Sequence, residues 1–355
     1  MCYLLLDLFI VILVLLIITS KPENNLENPI DKANTITVRA LLMVSIFFRH
    51  IYAIVEDEDV GFFLKLFEGK GFWCVAVFFF FSGYGLFKAL SSKGEEYLKS
   101  FLKKRFPAVV IPYISAIVLF FVVRIIVLNE NVSFAPIDIA KRIYSTLLLV
   151  DYSWYVLEIV FLYIVFYLSF RYINQRVYAL LVCSMVVVAF TFVCSLLGVN
   201  IAYYISTFGF VFGMFYACFY EKVDSFVVRY KYISVIILPI IMYLLSSPYA
   251  LDYSGGMGHL QNMLFSLQEN IISLSFVYIV IVLLHKVSTV SKIGAFLGTF
   301  SYEAYLMQGI GIRVCRSSLL YIDNATIYVI LSLLICFALA IIIKAVNKRI
   351  TRWIG

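Results

Sequence analysis

Long apolar runs alternate with short polar breaks along the whole chain. Runs long enough to cross a bilayer lie at 3–20, 36–55, 70–90, 106–128, 153–173, 176–196, 199–220, 231–248, 270–286, 293–314 and 324–347. Each is near the ~20 residues that the hydrocarbon core requires. An open sheet cannot satisfy its backbone in lipid, so these runs predict α-helices, about eleven of them. The expected fold class is all-α: a polytopic integral membrane helical bundle.

Composition sharpens this. Hydrophobic residues make up 63% of the 355 and charged residues 14%, a balance that excludes an ordinary soluble domain. The net charge of +7 is carried by alternate loops. One side collects Lys88, Lys93, Lys99, Lys103, Lys104, Arg105, Arg171, Arg176, Lys222, Arg229, Lys231, Lys286, Lys292, Lys344, Lys348, Arg349 and Arg352. The other carries few cations and the acidic run Glu56–Asp59. Positive-inside bias makes the basic side cytoplasmic. Eleven spans then put the N-terminus outside and the C-terminus in the cytoplasm. The charge is thereby explained by membrane topology, and no nucleic-acid partner is expected. The first run lacks a basic start and carries Asp7, so it reads as a retained helix rather than a signal peptide. Seven cysteines are scattered without a CxxC or a Cys/His cluster, and no metal is expected. No phosphate-cradling glycine motif is present, which argues against a nucleotide-powered pump.

The ionisable groups inside apolar runs are the candidate chemistry, because charge at membrane depth is costly to place. Arg39 and His50 share the second run. Eleven helical steps of about 100° bring them to one face, roughly 16 Å apart along the axis. A cationic arginine can hold an anionic group, and a histidine can take a proton from a hydroxyl. His50 alone also reads as a structural histidine bonded between helices. Ser82 and Tyr84, in FFFFSGYGL, form a small notch suited to helix packing or to a ligand. Lys103, Lys104 and Arg105 form a basic loop before the fourth run and suit lipid headgroups or a phosphorylated ligand. Glu158 lies near Trp154, and Glu303 lies among Tyr302, Tyr305 and Gln308. Such mixtures of rings and polar groups suit a sugar or a pantetheine arm, and equally an interfacial aromatic belt. Gly255, Gly256, Gly258 and His259 lie in a long outer loop, where His259 is expected to be solvent-exposed.

These segments, in order, resemble membrane acyltransferase family 3, bacterial enzymes that O-acylate surface glycans. The resemblance rests on Arg39 and His50 with ten residues between them, FFFFSGYGL, KKRFPAVVIPY, SWYVLEIVFLY and GTFSYEAYLMQ, and spans about residues 36–347. It implies an acyltransferase domain at 36–355 with about ten spans, preceded by an extra helix and linker at 1–35. It further implies acetyl-CoA, or a related acyl-CoA, as donor and a glycan or lipid-linked glycan as acceptor, in the bacterial cytoplasmic membrane. Membrane lipid is a further partner, and a homo-oligomer is compatible with it.

The site residues follow from the resemblance as expectations. His50 and Arg39 are the catalytic pair. Arg39, Lys103, Lys104, Arg105, Ser82 and Tyr84 bind the donor. Trp154, Glu158, Tyr302, Glu303, Tyr305 and Gln308 bind the acceptor. Two departures stand out. The basic loop of the family often reads Arg-x-x-Arg, and here Ala108 stands at the second position. The late segment often ends in histidine, and here it ends in Gln308. A lipid-linked glycan flippase or polysaccharide polymerase, or a proton-coupled transporter using Glu158 or Glu303, remains the rival reading of the composition.

Overall fold

The structure is a computed structural model that describes residues 2–18, 29–58, 60–130, 133, 135–144, 149–246, 258–286 and 291–354. Gly255, Gly256 and the linker at 20–28 lie outside the described residues. In chain order the helices are α1 (Cys2–Ile18), α2 (Lys32–Val55), α3 (Phe62–Lys65), α4 (Gly71–Lys93), α5 (Glu95–Ile126), α6 (Pro136–Tyr144) and α7 (Trp154–Tyr172). They continue with α8 (Arg176–Leu196), α9 (Phe208–Cys218), α10 (Tyr220–Leu245), α11 (His259–Lys286), α12 (Lys292–Thr299), α13 (Ser301–Cys315) and α14 (Ala325–Ile354). No strand occurs among the described residues. Nine helical segments there are long and apolar enough to cross a membrane. The chain is a polytopic helical membrane bundle.

Every apolar run contains helix, but several boundaries differ from the sequence reading, and the run at 199–220 is α-helix only over Phe208–Cys218. α5, α10 and α11 each begin about eleven residues before the apolar run that predicted them. Hydropathy marks the part of a helix that lies in lipid. It is blind to the continuation into polar surroundings, where Glu, Lys and Arg are good helix formers. The basic segment expected as a loop is therefore part of α5, which also carries Pro107 and Pro112 in its interior. The run at 293–314 is not one span: it breaks at Phe300 into α12 and α13. The break exposes carbonyls at the end of α12. Lys344 of α14 donates its Nζ to the Thr299 carbonyl and lies 3.6 Å from Glu303 on the other side of the break.

Local chemistry explains the other ends. Asp31 caps α2 by accepting from the Asn34 amide at 2.7 Å. The irregular entry to α9, a 3-10 turn at Ile201–Tyr203, is held by the buried Asn270 of α11. Its Nδ2 donates to the Tyr204 carbonyl at 2.9 Å, and its Oδ1 accepts from the Phe208 amide at 3.3 Å. Hydroxyls inside the apolar helices mostly bond back to their own turn, as Ser45 does to the Leu41 carbonyl at 2.9 Å.

The core is aromatic: Phe47, Phe48, Phe79, Phe80, Phe101, Phe120, Phe166 and Phe210 are fully buried. The outer surface is apolar as well. On α10, Ile233, Ile236, Ile240 and Tyr243 recur at helical spacing and are exposed, as expected of a face toward lipid. The tightest helix pair is α4 with α9. Gly209 and Gly213 of α9 lie against the Ala76 and Phe80 carbonyls, and Gly83 of α4 lies against the Phe210 carbonyl. Small residues let the two backbones touch.

A side chain at Gly213 would meet backbone rather than a movable tip. Gly213→Leu should therefore destabilise by about 1–3 kcal/mol or more. Thermal unfolding in lipid nanodiscs checks this, and an unchanged midpoint would refute the close contact.

Candidate active site

Two cavities lie end to end along α2 and α13. The first, about 330 Å³, is lined among others by Arg39 and Ile46 of α2, Ser82 of α4, Arg105 of α5, Tyr155 and Tyr163 of α7, and Tyr302 and Tyr305 of α13. The second, about 300 Å³, is lined by Ile54 of α2, Glu130, Tyr328 and, on or just after α13, Ile312, Arg313, Arg316, Ser317 and Ser318. On α2 the lining positions 46 and 54 are each four residues from His50. On α13 Tyr305 and Ile312 bracket Gln308. His50 and Gln308 meet at that level, with His50 Nδ1 3.0 Å from Gln308 Oε1. The amide oxygen can only accept, so Nδ1 carries the proton and Nε2 holds the free lone pair. The His50 ring stacks on Tyr152, with centroids 4.0 Å apart and planes 11° from parallel.

The two cavities differ in charge balance. In the first, Arg39 and Arg105 have no ion pair among the described residues, and no carboxylate lines the space. The Arg39 guanidinium sits 5.7 Å from the Phe81 ring centroid. Arg105 Nε donates to the Tyr97 hydroxyl at 3.1 Å. Uncompensated guanidinium groups beside apolar walls attract an anion and suit phosphate or carboxylate geometry. Around the second cavity the charges cancel. Arg124 Nη2 reaches Asp151 at 2.6 Å, Arg313 binds both Asp151 and, at 2.8 Å, Glu130, and Arg316 pairs with Glu58.

The expected site residues separate accordingly. Arg39, Ser82, Arg105, Tyr302 and Tyr305 line the first cavity. Ser82 and Tyr163 share a hydroxyl contact of 3.0 Å, and Tyr302 donates to the Val109 carbonyl at 2.8 Å. His50 and Gln308 line neither cavity and lie at the level between them. Lys103 and Lys104 are exposed on α5 and do not line the cavity. At about 100° per residue, only one of three consecutive helical side chains can face it, and that one is Arg105. Tyr84 turns away, with its ring 6.1 Å from Tyr216. Trp154 packs on Phe72. Glu303 serves as counter-ion to Lys344. Glu158 is buried outside the cavity lining, and neither of its oxygens has a hydrogen-bond partner among the described residues. His259 is exposed, at the first position of α11 rather than in a loop.

Sequence reasoning missed Asp151, Tyr152, Arg124 and Arg313. The rule that singles out Arg39 applies to two of them, since Arg124 and Arg313 also sit in apolar runs. Nothing local marks Tyr152, whose importance lies in a ring contact with a residue about a hundred positions away.

The family model for an acyltransferase domain, that of acyltransferase family 3, matches residues 35–345. No curated protein and no solved structure matches the chain. The matched span takes in α2 through most of α14, and with it both cavities and the residues between them. The chain belongs to acyltransferase family 3 and is a multi-pass membrane acyltransferase.

Proposed function

We propose that the protein moves an acetyl or other short acyl group from a cytoplasmic acyl-CoA to a hydroxyl of a cell-surface or lipid-linked glycan. The observation that carries this reading is the pair Arg39 and Arg105 in a cavity without a carboxylate, ending at the level of His50. Acetyl-CoA supplies what that cavity lacks, an anion on a narrow arm. At about 330 Å³ the space is near the lower end for ligand sites, which suits the uncharged pantetheine arm, with the diphosphate that joins it to the nucleotide held at the Arg39 and Arg105 end and the nucleoside outside. Lys103 and Lys104, exposed on the same helix as Arg105, are placed to meet nucleotide phosphates or lipid headgroups. The hydroxyls of Ser82, Tyr155 and Tyr302 line the path of the arm.

The acceptor enters the second cavity, whose Glu130, Arg313, Ser317 and Ser318 offer both donors and acceptors to a polyol. Its hydroxyl gives a proton to His50 Nε2 and its oxygen bonds the acyl carbon. The carbon–sulfur bond breaks, and the proton passes to the CoA thiolate. The positive-inside asymmetry supports the arginine cavity opening to the cytoplasm and the second cavity opening outside. In a bacterium this is the cytoplasmic membrane, with the N-terminus outside and the C-terminus inside.

The first test is release of free CoA thiol from acetyl-CoA by the protein in lipid nanodiscs, with a crude cell-envelope glycan extract as acceptor. Release that requires the extract supports the proposal; absence of both release and acetyl-CoA binding sinks it.

His50→Ala should lower turnover by about 10²–10⁴-fold, the usual contribution of a positioned base, without lowering the unfolding midpoint. Full activity in that variant would remove His50 from the chemistry. Arg39→Ala and Arg105→Ala should each raise the donor KM by about 10–100-fold, the value of a charge-assisted bond, while turnover at saturation falls less. Steady-state kinetics in acetyl-CoA decides this, and an unchanged KM in both variants would argue against an anion site.

A further inference from the structure

The His50 ring is held on two sides, and one of the two holders is under conformational constraint. Gln308 bonds its Nδ1 edge, and Tyr152 covers its face. Tyr152 belongs to the turn that leads into α7 and has φ +63, in the left-handed region that residues with side chains seldom occupy. Such conformations persist where surroundings over-determine them, and they cluster at functional sites.

The surroundings here are specific. Asp151, the preceding residue, is gripped by Arg124 Nη2 at 2.6 Å and by Arg313, whose Nη2 lies 3.1 Å from Asp151 Oδ1. Ser153, the following residue, closes the turn through its hydroxyl onto the Val150 carbonyl at 2.7 Å. The Tyr152 carbonyl accepts from the Tyr305 hydroxyl, and the Tyr305 ring lines the arginine cavity. Gly309, next to Gln308, makes room for the turn. A Cβ at that position would stand 2.7 Å from Asp151 Cβ and 3.1 Å from the Phe120 ring. The turn is thus fastened to α5, to α13 and to the wall of the first cavity at once.

We propose that Tyr152 is a positioning residue for His50: its ring, fixed by this turn, sets the plane of the imidazole and with it the direction of Nε2, at the level between the two cavities. The proposal rests on the transferase reading above and adds to it a residue that holds the base in place. The Cβ–Cγ torsion of a histidine is broad and nearly two-fold. A single hydrogen bond at Nδ1 fixes the tautomer but leaves the ring free to swing about that bond. A flat partner 4.0 Å away removes the swing. Tyr152 touches no reacting atom on this account; it acts through His50.

Two variants separate the ring from the turn. Tyr152→Phe keeps the flat face, and Tyr152→Gly removes it while suiting the left-handed backbone, so the glycine variant should fold. Unfolding midpoint, kcat and donor KM are measured for both in nanodiscs, with wild type and His50→Ala as reference points. Carbethoxylation of His50 is followed by site-resolved mass spectrometry in the same samples. Tyr152→Phe should match wild type throughout. Tyr152→Gly should keep its midpoint and donor KM, lose about 10²-fold in kcat, as a slightly misplaced catalytic group does, and label faster at His50. A folded Tyr152→Gly with wild-type kcat and labelling overturns the proposal, as does a Tyr152→Phe variant as impaired as the glycine one. Equal turnover by wild type and His50→Ala would instead remove His50 from the chemistry, and absence of turnover and of acetyl-CoA binding in wild type would overturn the transferase reading. The labelling rates, which need no turnover, then decide by themselves whether Tyr152 holds His50.

Discussion

Asp151 accepts from two arginines that reach it from different helices, Arg124 of α5 and Arg313 of α13. Arg124 is buried, and breaking a buried pair by removing one partner typically costs about 3–5 kcal/mol. That constraint draws α5, α13 and the turn before α7 to one point. Because Tyr152 follows Asp151 directly, the same point fixes the ring that lies on His50. Because Tyr305 bonds the Tyr152 carbonyl, it also fixes a wall of the first cavity. The geometry between the cavities is therefore set by charge pairing, and the aromatic packing of α4, α7 and α9 fills in around it.

The contrast with the other end carries the functional argument. Arg39 and Arg105 are half-buried like Arg313 and Arg316, but no carboxylate answers them among the described residues. On the proposed reading, the two arginines left unneutralised around the first cavity meet a ligand that arrives with its own negative charge. The phenylalanine and tyrosine walls raise the value of such an interaction, since they exclude water from it.

Much of this was legible in the sequence, and the part that was not has a common cause. The apolar runs located the long helices but not the short α3 and α6, which lie between them, and the rule that buried charge is rarely idle found Arg39 and His50. The α12–α13 break was not read because apolar residues continue on both sides of it, from Ile293 to Ile312. Lys344, more than forty residues later, answers the break by bonding the Thr299 carbonyl. The same holds at the site. Arg105 could not be told from Lys103 and Lys104 until α5 proved to extend over all three and to turn only one toward the cavity. Glu303 looked like a substrate ligand because its neighbours in sequence are tyrosines; its partner in space is a lysine. The extent of α5 aside, these misses are contacts between residues far apart in the chain, which a local pattern cannot contain.

Gln308 bears on how the proton travels. Where the family often has histidine, this chain has an amide that accepts from His50 Nδ1 and cannot itself take up a proton. On the proposed reading, one base must therefore both receive the proton of the acceptor hydroxyl and return it to the departing thiolate. That requires Nε2 to face both cavities without the ring turning over, because a turn would break the Nδ1 bond that fixes the tautomer. The stacked, two-sided hold on His50 is the arrangement such a single-base route needs.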